Sequence, residues 1–442
     1  MPILPEDMMT GYHVMAKPAG PACNLRCTYC FYLEKYKLYP ERKQPIMSEE
    51  TLEAYIKQYI EGLSHLPEIH FAWQGGEPTL AGLDFFRKAV ELQQQYGGGR
   101  TIHNALQTNG ILIDDEWAQF LAENNFLIGL SLDGPERFHD AFRRNAKDEG
   151  TFKQVMNAME TMKRHGVEFN ILACVNRQTS EAPEDVYRFL RAHGSGFIQF
   201  IPIVERSTGD DSPDKLTLVK PDSDLDATVT PWSVQPLQYG KFLSTVFDLW
   251  VRNDVGTLFV QLFDTALEAW MGYDPSLCYF REQCGDAMIL ESNGDLYSCD
   301  HFVYPEHLLG NLHETPLPEM ARSPEQLAFG AGKKENLPAY CRDCTYLFAC
   351  HGECLKHRFL TTPEGAPGLN YLCEGYRYFF NHIDPYMQFM ANELRNRRPP
   401  ANVMEWVKQQ DNNASKAAKP DPNQPCPCGS GKKYKKCCGK ST

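Results

Sequence analysis

Fifteen of the sixteen cysteines in this 442-residue chain fall into three tight groups, and no other feature limits its fold so strongly. The first group is Cys23, Cys27 and Cys30, spaced C-x3-C-x2-C. The second is Cys278, Cys284, Cys299, Cys341, Cys344, Cys350, Cys354 and Cys373; the third is Cys426, Cys428, Cys437 and Cys438. Met1–Thr10 carries acids and no apolar core, so it does not read as a signal peptide. No run approaches the ~18 apolar residues of a membrane span. A cytoplasmic location is expected, and there thiols stay reduced. Clustered cysteines in that setting read as metal ligands rather than as a disulfide framework.

The number of thiolates in each group narrows the chemistry. A four-iron cluster wants one external ligand per iron, so three cysteines leave one iron open. The amino and carboxylate groups of a methionine moiety can chelate it. A zinc site with a distant fourth ligand is the alternative. Eight thiolates make two complete four-ligand sites, for iron–sulfur clusters or for zinc. Four soft thiolates in the short tail suit tetrahedral zinc, with a third auxiliary iron–sulfur site as competitor. Cys174, in the apolar run Asn170–Val175, is left over and reads as core. His13, His70 and His301 show no ligand-pair spacing and read as structural.

Helix and strand patterns alternate from residue 46 to about 204, which implies a parallel sheet with crossover helices. Strands are expected at 69–73, 127–131, 168–175 and 197–203, with another ending at Gln107-Thr108-Asn109-Gly110. Helices are expected from Ser48 onward and at 83–95, 115–123, 151–165 and 184–192. In such sheets the active-site residues sit at the carboxyl ends of strands. Residues 205–236 read as a long loop, 237–253 and 258–271 as helices, and 411–425 as a flexible tether. Asn293-Gly294 signals a hairpin. Net charge is −13, although residues 411–442 hold seven lysines against Asp411 and Asp421. The acidic body argues against nucleic acid as substrate.

Tyr29 directly precedes Cys30, and Gly75-Gly76-Glu77-Pro78 closes the first strand after the cysteine loop. On these residues the chain resembles the radical S-adenosylmethionine (SAM) superfamily. The resemblance implies a partial (β/α)6 TIM-like barrel, a 4Fe-4S cluster on Cys23, Cys27 and Cys30, and SAM on the open iron. It further implies that Tyr32 touches the adenine and that Gln74, Gly75, Gly76 and Glu77 line the pocket at the strand end. Ser131 and Arg143 would serve the SAM carboxylate and ribose region, and Val204 the adenine.

The second cysteine group resembles the SPASM domain of peptide-modifying radical SAM enzymes. That implies one auxiliary 4Fe-4S cluster on Cys278, Cys284, Cys299 and Cys354, and another on Cys341, Cys344, Cys350 and Cys373. Four stretches resemble anaerobic sulfatase-maturating enzymes: Cys27–Tyr32, Gln74–Thr79, Leu106–Gly110 and Tyr297–Asp300. This family implies oxidation of Cys or Ser in a Cys/Ser-x-Pro/Ala-x-Arg segment of an unfolded or nascent sulfatase to formylglycine, without oxygen. Asp300 is then the general base, and a flavodoxin- or ferredoxin-type donor supplies electrons. The tail resembles the SEC-C motif of the protein-export motor, implying zinc and docking near the export machinery.

The expected layout is a radical SAM domain over 11–236 and linker helices with a SPASM domain over 237–385. A helix and flexible linker over 386–425 and a zinc-binding tail over 426–442 complete it. Two other readings stay open. A SPASM maturase forming thioether crosslinks or epimers on a ribosomal peptide would share every cluster. A non-catalytic zinc adaptor would use the cysteines as structural ligands, but has no need of an open coordination position.

Overall fold

The computed structural model describes residues 11–38, 46–209, 215–417, 423–426, 428 and 430–438; residues 1–10 and the tether residues 418–422 lie outside them. The order of elements follows from local patterning. Helix α1 (Glu49–Gly62) starts where the Ser48 side chain accepts from the Thr51 N–H, with Glu49 and Glu50 in its first turn. Such a cap is worth about 1 kcal/mol. Its buried stripe of Leu52, Tyr55, Ile56, Tyr59 and Ile60 packs edge-on against Phe71 of β2 (Glu68–Trp73). In β2 the alternation buries Ile69, Phe71 and Trp73 and leaves Glu68 and His70 exposed on the other face.

The unit repeats with α2 (Leu83–Tyr96), β3 (Thr101–Thr108), α3 (Asp115–Glu123) and β4 (Phe126–Ser131). Then come α4 (Glu136–Phe142), α5 (Phe152–His165), β5 (Phe169–Val175), α6 (Pro183–His193) and β6 (Phe197–Pro202). With β1 (His13–Ala16) in front, β1 to β6 pair in sequence order and all in parallel. That is the six-stranded partial barrel expected, and every strand delivers its carboxyl end to the same rim.

Both edges of this sheet are closed by later segments. After the ribbon of β7 (Arg206–Ser207) and β8 (Thr228–Val229) and the helix α7 (Pro236–Asn253), strand β9 (Phe259–Val260) pairs in parallel with β6. The helix expected over 258–271 therefore starts only at Gln261, as α8 (Gln261–Met271), because its first residues cover an edge strand. The loop expected over 205–236 likewise contains the β7–β8 ribbon. At the other edge, β10 (Ala287–Leu290) pairs in parallel with β1, followed by the antiparallel strands β11 (Asp295–Tyr297) and β12 (Leu308–Asn311). The Asn293-Gly294 turn joins β10 to β11, and Gly294 has φ +88°. The cysteine-rich region is thus continuous with the barrel sheet.

Short helices α9 (Leu317–Ala321) and α10 (Pro324–Glu335) follow, and α11 (Ala339–Arg342) and α12 (Leu347–Cys350) carry Cys341 and Cys350. Helix α13 (Cys373–Arg395) then crosses α7, and α14 (Asn402–Ala417) packs on both. The tether expected from residue 411 is therefore helical as far as Ala417. Among the described residues, no helix is long and apolar enough to cross a membrane.

The α7–α13 crossing is close because both helices carry glycine there. A Cβ on Gly375 would run into the Pro236 carbonyl, and one on Gly240 into the Gly375 carbonyl. Gly375 lies two residues after Cys373, so this contact also seats one of the cysteines expected to hold an auxiliary cluster. Gly375→Ala is expected to cost about 1–3 kcal/mol through overpacking. Chemical denaturation of the reconstituted protein reads it, and an unchanged midpoint would contradict the close crossing.

Candidate active site and metal centres

The loop after β1 carries Cys23, Cys27 and Cys30, and backbone hydrogen bonds hold it from two sides. On one side the Gly76 N–H donates to the Gly20 carbonyl and the Glu77 N–H to the Ala22 carbonyl, each at 2.8 Å. On the other, the Arg26 N–H donates to the Arg144 carbonyl at 2.7 Å and the Thr28 N–H to the Phe142 carbonyl at 3.2 Å. A Cβ on Gly76 would collide with the Ala22 carbonyl, so this glycine is needed for the approach of the cysteine loop itself. Glu77 is fully buried and spent on the same brace. It accepts from the Thr79 N–H and hydroxyl, the Thr108 hydroxyl and the Asn109 N–H. Asn109 in turn donates to Asn24 at 2.8 Å and reaches Cys23 Sγ at 3.8 Å.

The remaining expected SAM residues gather at the same rim. Gln74 follows β2, donates to Gln107 Oε1 at 2.9 Å, and keeps its own Oε1 buried with no donor. Asn176, just past β5, keeps a buried Nδ2 with no acceptor. Orphaned polar atoms of this kind fit a polar ligand. Ser131 ends β4, and Val204 lies two residues past β6; both are buried. Tyr32, expected at the adenine, packs in a small core with Ile289, Tyr297 and Val303 and donates its hydroxyl to Glu291. Arg143 is clamped: Nε and Nη2 donate to Asp133 at 2.9 and 3.0 Å. Asp133 also accepts from the Tyr29 hydroxyl and the Cys174 N–H. Burial would raise the Asp133 carboxyl, but the Arg143 guanidinium outweighs it and holds it below its usual value.

Asp300, directly after Cys299, meets Lys17 from the end of β1, with Nζ 2.5 Å from Oδ1. The Lys17 side chain is 1% exposed and Asp300 22%. The same ammonium lies 3.6 Å from the centre of the Tyr32 ring. Burial pushes the Asp300 carboxyl up, yet Lys17 and then His301 outweigh it, so Asp300 is ionised at neutral pH. A second buried pair, Lys356 with Glu205, lies nearby. Lys35 is 2% exposed with no hydrogen-bond partner among the described residues, its Nζ 3.3 Å over the Tyr304 ring. Burial pushes its ammonium down to about 7 against the pull of Asp300 and Glu205. Sequence reasoning missed Lys17, Lys35, Asp133, Glu205, Glu291 and Lys356; none lies in a motif that signals its partner.

Sulfur spacing sets the tail cysteines apart from the other two groups. Tetrahedral zinc with sulfur at about 2.3 Å draws its ligand sulfurs to about 3.8 Å apart. A four-iron cluster holds one thiolate per corner iron and needs them further apart. Among the described residues, only the tail cysteines Cys426, Cys428, Cys437 and Cys438 bring all their sulfurs within 4.8 Å of one another. Cys428 and Cys437 are 3.5 Å apart, Cys437 and Cys438 4.0 Å. The four tail sulfurs lie close enough together to share a single ion, and among the described residues no such group includes any of the other eleven grouped cysteines.

Comparison with known proteins agrees with this geometry. Residues 18–190 match the radical SAM superfamily, 278–345 an iron-sulfur cluster-binding domain called SPASM, and 423–440 the SEC-C motif. The fold and site are those of a radical SAM enzyme with a SPASM domain. The serine-type anaerobic sulfatase-maturating enzyme of Bacteroides thetaiotaomicron is 47% identical over 396 residues, 90% of this chain and 95% of that one. The cysteine-type enzyme of Clostridium perfringens is 34% identical, covering 86% of this chain and 99% of its own. The structure of native anSMEcpe with bound AdoMet and Cp18Cys peptide superposes with a TM-score of 0.74 at 33% identity, covering 86% and 99% of the two chains. This chain belongs to the anaerobic sulfatase-maturating enzymes.

Asp133→Ala is expected to cost about 3–5 kcal/mol, because it strands the buried Arg143 guanidinium. The folded carboxyl lies below its unfolded value of about 3.9, so its contribution is present above that pH. It fades as pH falls through the folded value, and the variant should lack that part of the acid dependence. Urea titrations across pH check both points.

Proposed function

We propose that this enzyme oxidises a Cys or Ser in a sulfatase Cys/Ser-x-Pro/Ala-x-Arg segment to formylglycine under anaerobic conditions. The observation that carries the reading is the Lys17–Asp300 pair, which joins the strand leading into the cysteine loop to the residue after an auxiliary-cluster ligand. Kinship with serine-type and cysteine-type anaerobic sulfatase-maturating enzymes supports this reading, and the bound peptide in the 33%-identical structure supports a peptide substrate.

On this reading Cys23, Cys27 and Cys30 hold the first 4Fe-4S cluster. Cys278, Cys284, Cys299 and Cys354 hold one auxiliary cluster, and Cys341, Cys344, Cys350 and Cys373 the other. SAM bound on the first cluster would supply the radical chemistry directed at the target Cβ, and an auxiliary cluster would supply a sink for the second electron. The chain's own residues do the rest. Gln74 Oε1 offers an acceptor to the SAM amino group beside Gly75 and Gly76. Glu77 serves that pocket indirectly, by bracing the strand end. Ser131 and Arg143 face the carboxylate and ribose region, with Arg143 oriented by Asp133, while Val204 borders the adenine and Tyr32 supports Lys17 from behind.

Asp300, kept ionised by Lys17, takes the proton from the target sulfur or oxygen. A flavodoxin- or ferredoxin-type protein supplies electrons, and the tail cysteines hold zinc at a docking element for the export machinery.

Asp300→Asn is expected to abolish formylglycine formation on Cys- and Ser-containing 18-residue peptides while SAM cleavage continues, as read by anaerobic mass spectrometry. SAM cleavage by the unaltered enzyme without aldehyde on either peptide would favour the crosslinking maturase instead. Replacing Cys426 and Cys428 by Ser should remove one zinc per chain and leave the iron content unchanged.

A further inference from the structure

His70 and His103, which show no ligand spacing along the chain, are direct neighbours across the β2–β3 register. Their rings lie 4.6 Å apart and nearly parallel. Glu68, two residues before His70 on the same face, places Oε2 3.5 Å from His103 Nε2 and 3.9 Å from His70 Nε2. All three ligand atoms fall within 4.8 Å of one another.

These separations are too long for hydrogen bonds. They are the separations of atoms sharing an ion: two ligands each about 2.1 Å from a tetrahedral metal lie about 3.4 Å apart. We propose that Glu68, His70 and His103 form a site for a divalent transition-metal ion of the zinc type, at the rim opposite the cysteine loop. The ligand set of two imidazoles and one carboxylate suits that class.

The three ligands keep side-chain exposures of 57%, 61% and 47%, leaving solvent to complete the coordination. An ion there would staple β2 to β3 near their first residues, remote from the radical chemistry at the carboxyl ends.

The test uses the full chain with its clusters reconstituted and with Cys426→Ser and Cys428→Ser removing the tail site. Equilibrium dialysis against micromolar zinc, with metal analysis, should find one zinc in this background. It should find none after His70→Ala and His103→Ala are added. Losing one ligand alone should weaken binding by at least the ~10–100-fold that loss of an outer-shell partner costs. Zinc should raise the thermal midpoint only where both histidines remain, while SAM cleavage without added zinc stays equal in both proteins. Equal zinc content with and without the histidines would overturn the proposal, as would saturation only at millimolar zinc.

Discussion

The parallel pairing of β10 with β1 is the contact on which the rest of the site depends. Strand β1 leads directly into the cysteine loop, and β10 leads through its hairpin to Cys299 and Asp300. The ladder continues past the strand, since the Lys17 N–H donates to the Leu290 carbonyl at 2.8 Å. One register therefore fixes the first cysteine loop, Cys299 and Asp300 relative to one another. A slip of one residue would turn Lys17 to the opposite face and separate it from Asp300.

Around that seam the protein buries charge in pairs. Lys17 meets Asp300, Arg143 meets Asp133, and Lys356 meets Glu205. Desolvating any one partner alone would cost several kcal/mol, so each buried charge is set against an opposite one. For Asp300 this has a functional consequence. A buried carboxyl left to itself would become neutral and accept no proton. Lys17 reverses that, and Tyr32 and Glu291 in turn hold the lysine's surroundings.

Much of this was legible in the sequence, for identifiable reasons. Metal ligands recur at short spacing, so the three cysteine groups stand out, and period-two and helical patterning marks most of the barrel. What was not legible depends on contacts between distant segments. Lys17 and Asp300 are 283 residues apart, and Tyr32 and Glu291 259 apart; nothing local announces either partner. Gly76 was visible as a strand-end glycine, but its close neighbour is the Ala22 carbonyl of the cysteine loop. Residues 259–260 read as helix because their pairing with β6 is a tertiary choice. His70 and His103 become a pair only once β2 and β3 are in register.

The central claim is that Lys17 acts through Asp300. Single-turnover peptide oxidation by Lys17→Met, Asp300→Asn and the double variant measures it, with SAM cleavage followed in parallel. If the ammonium works only by holding the carboxylate ionised and aimed, the double variant will be no slower than Asp300→Asn alone. Losses that multiply would contradict the account and give Lys17 a role of its own.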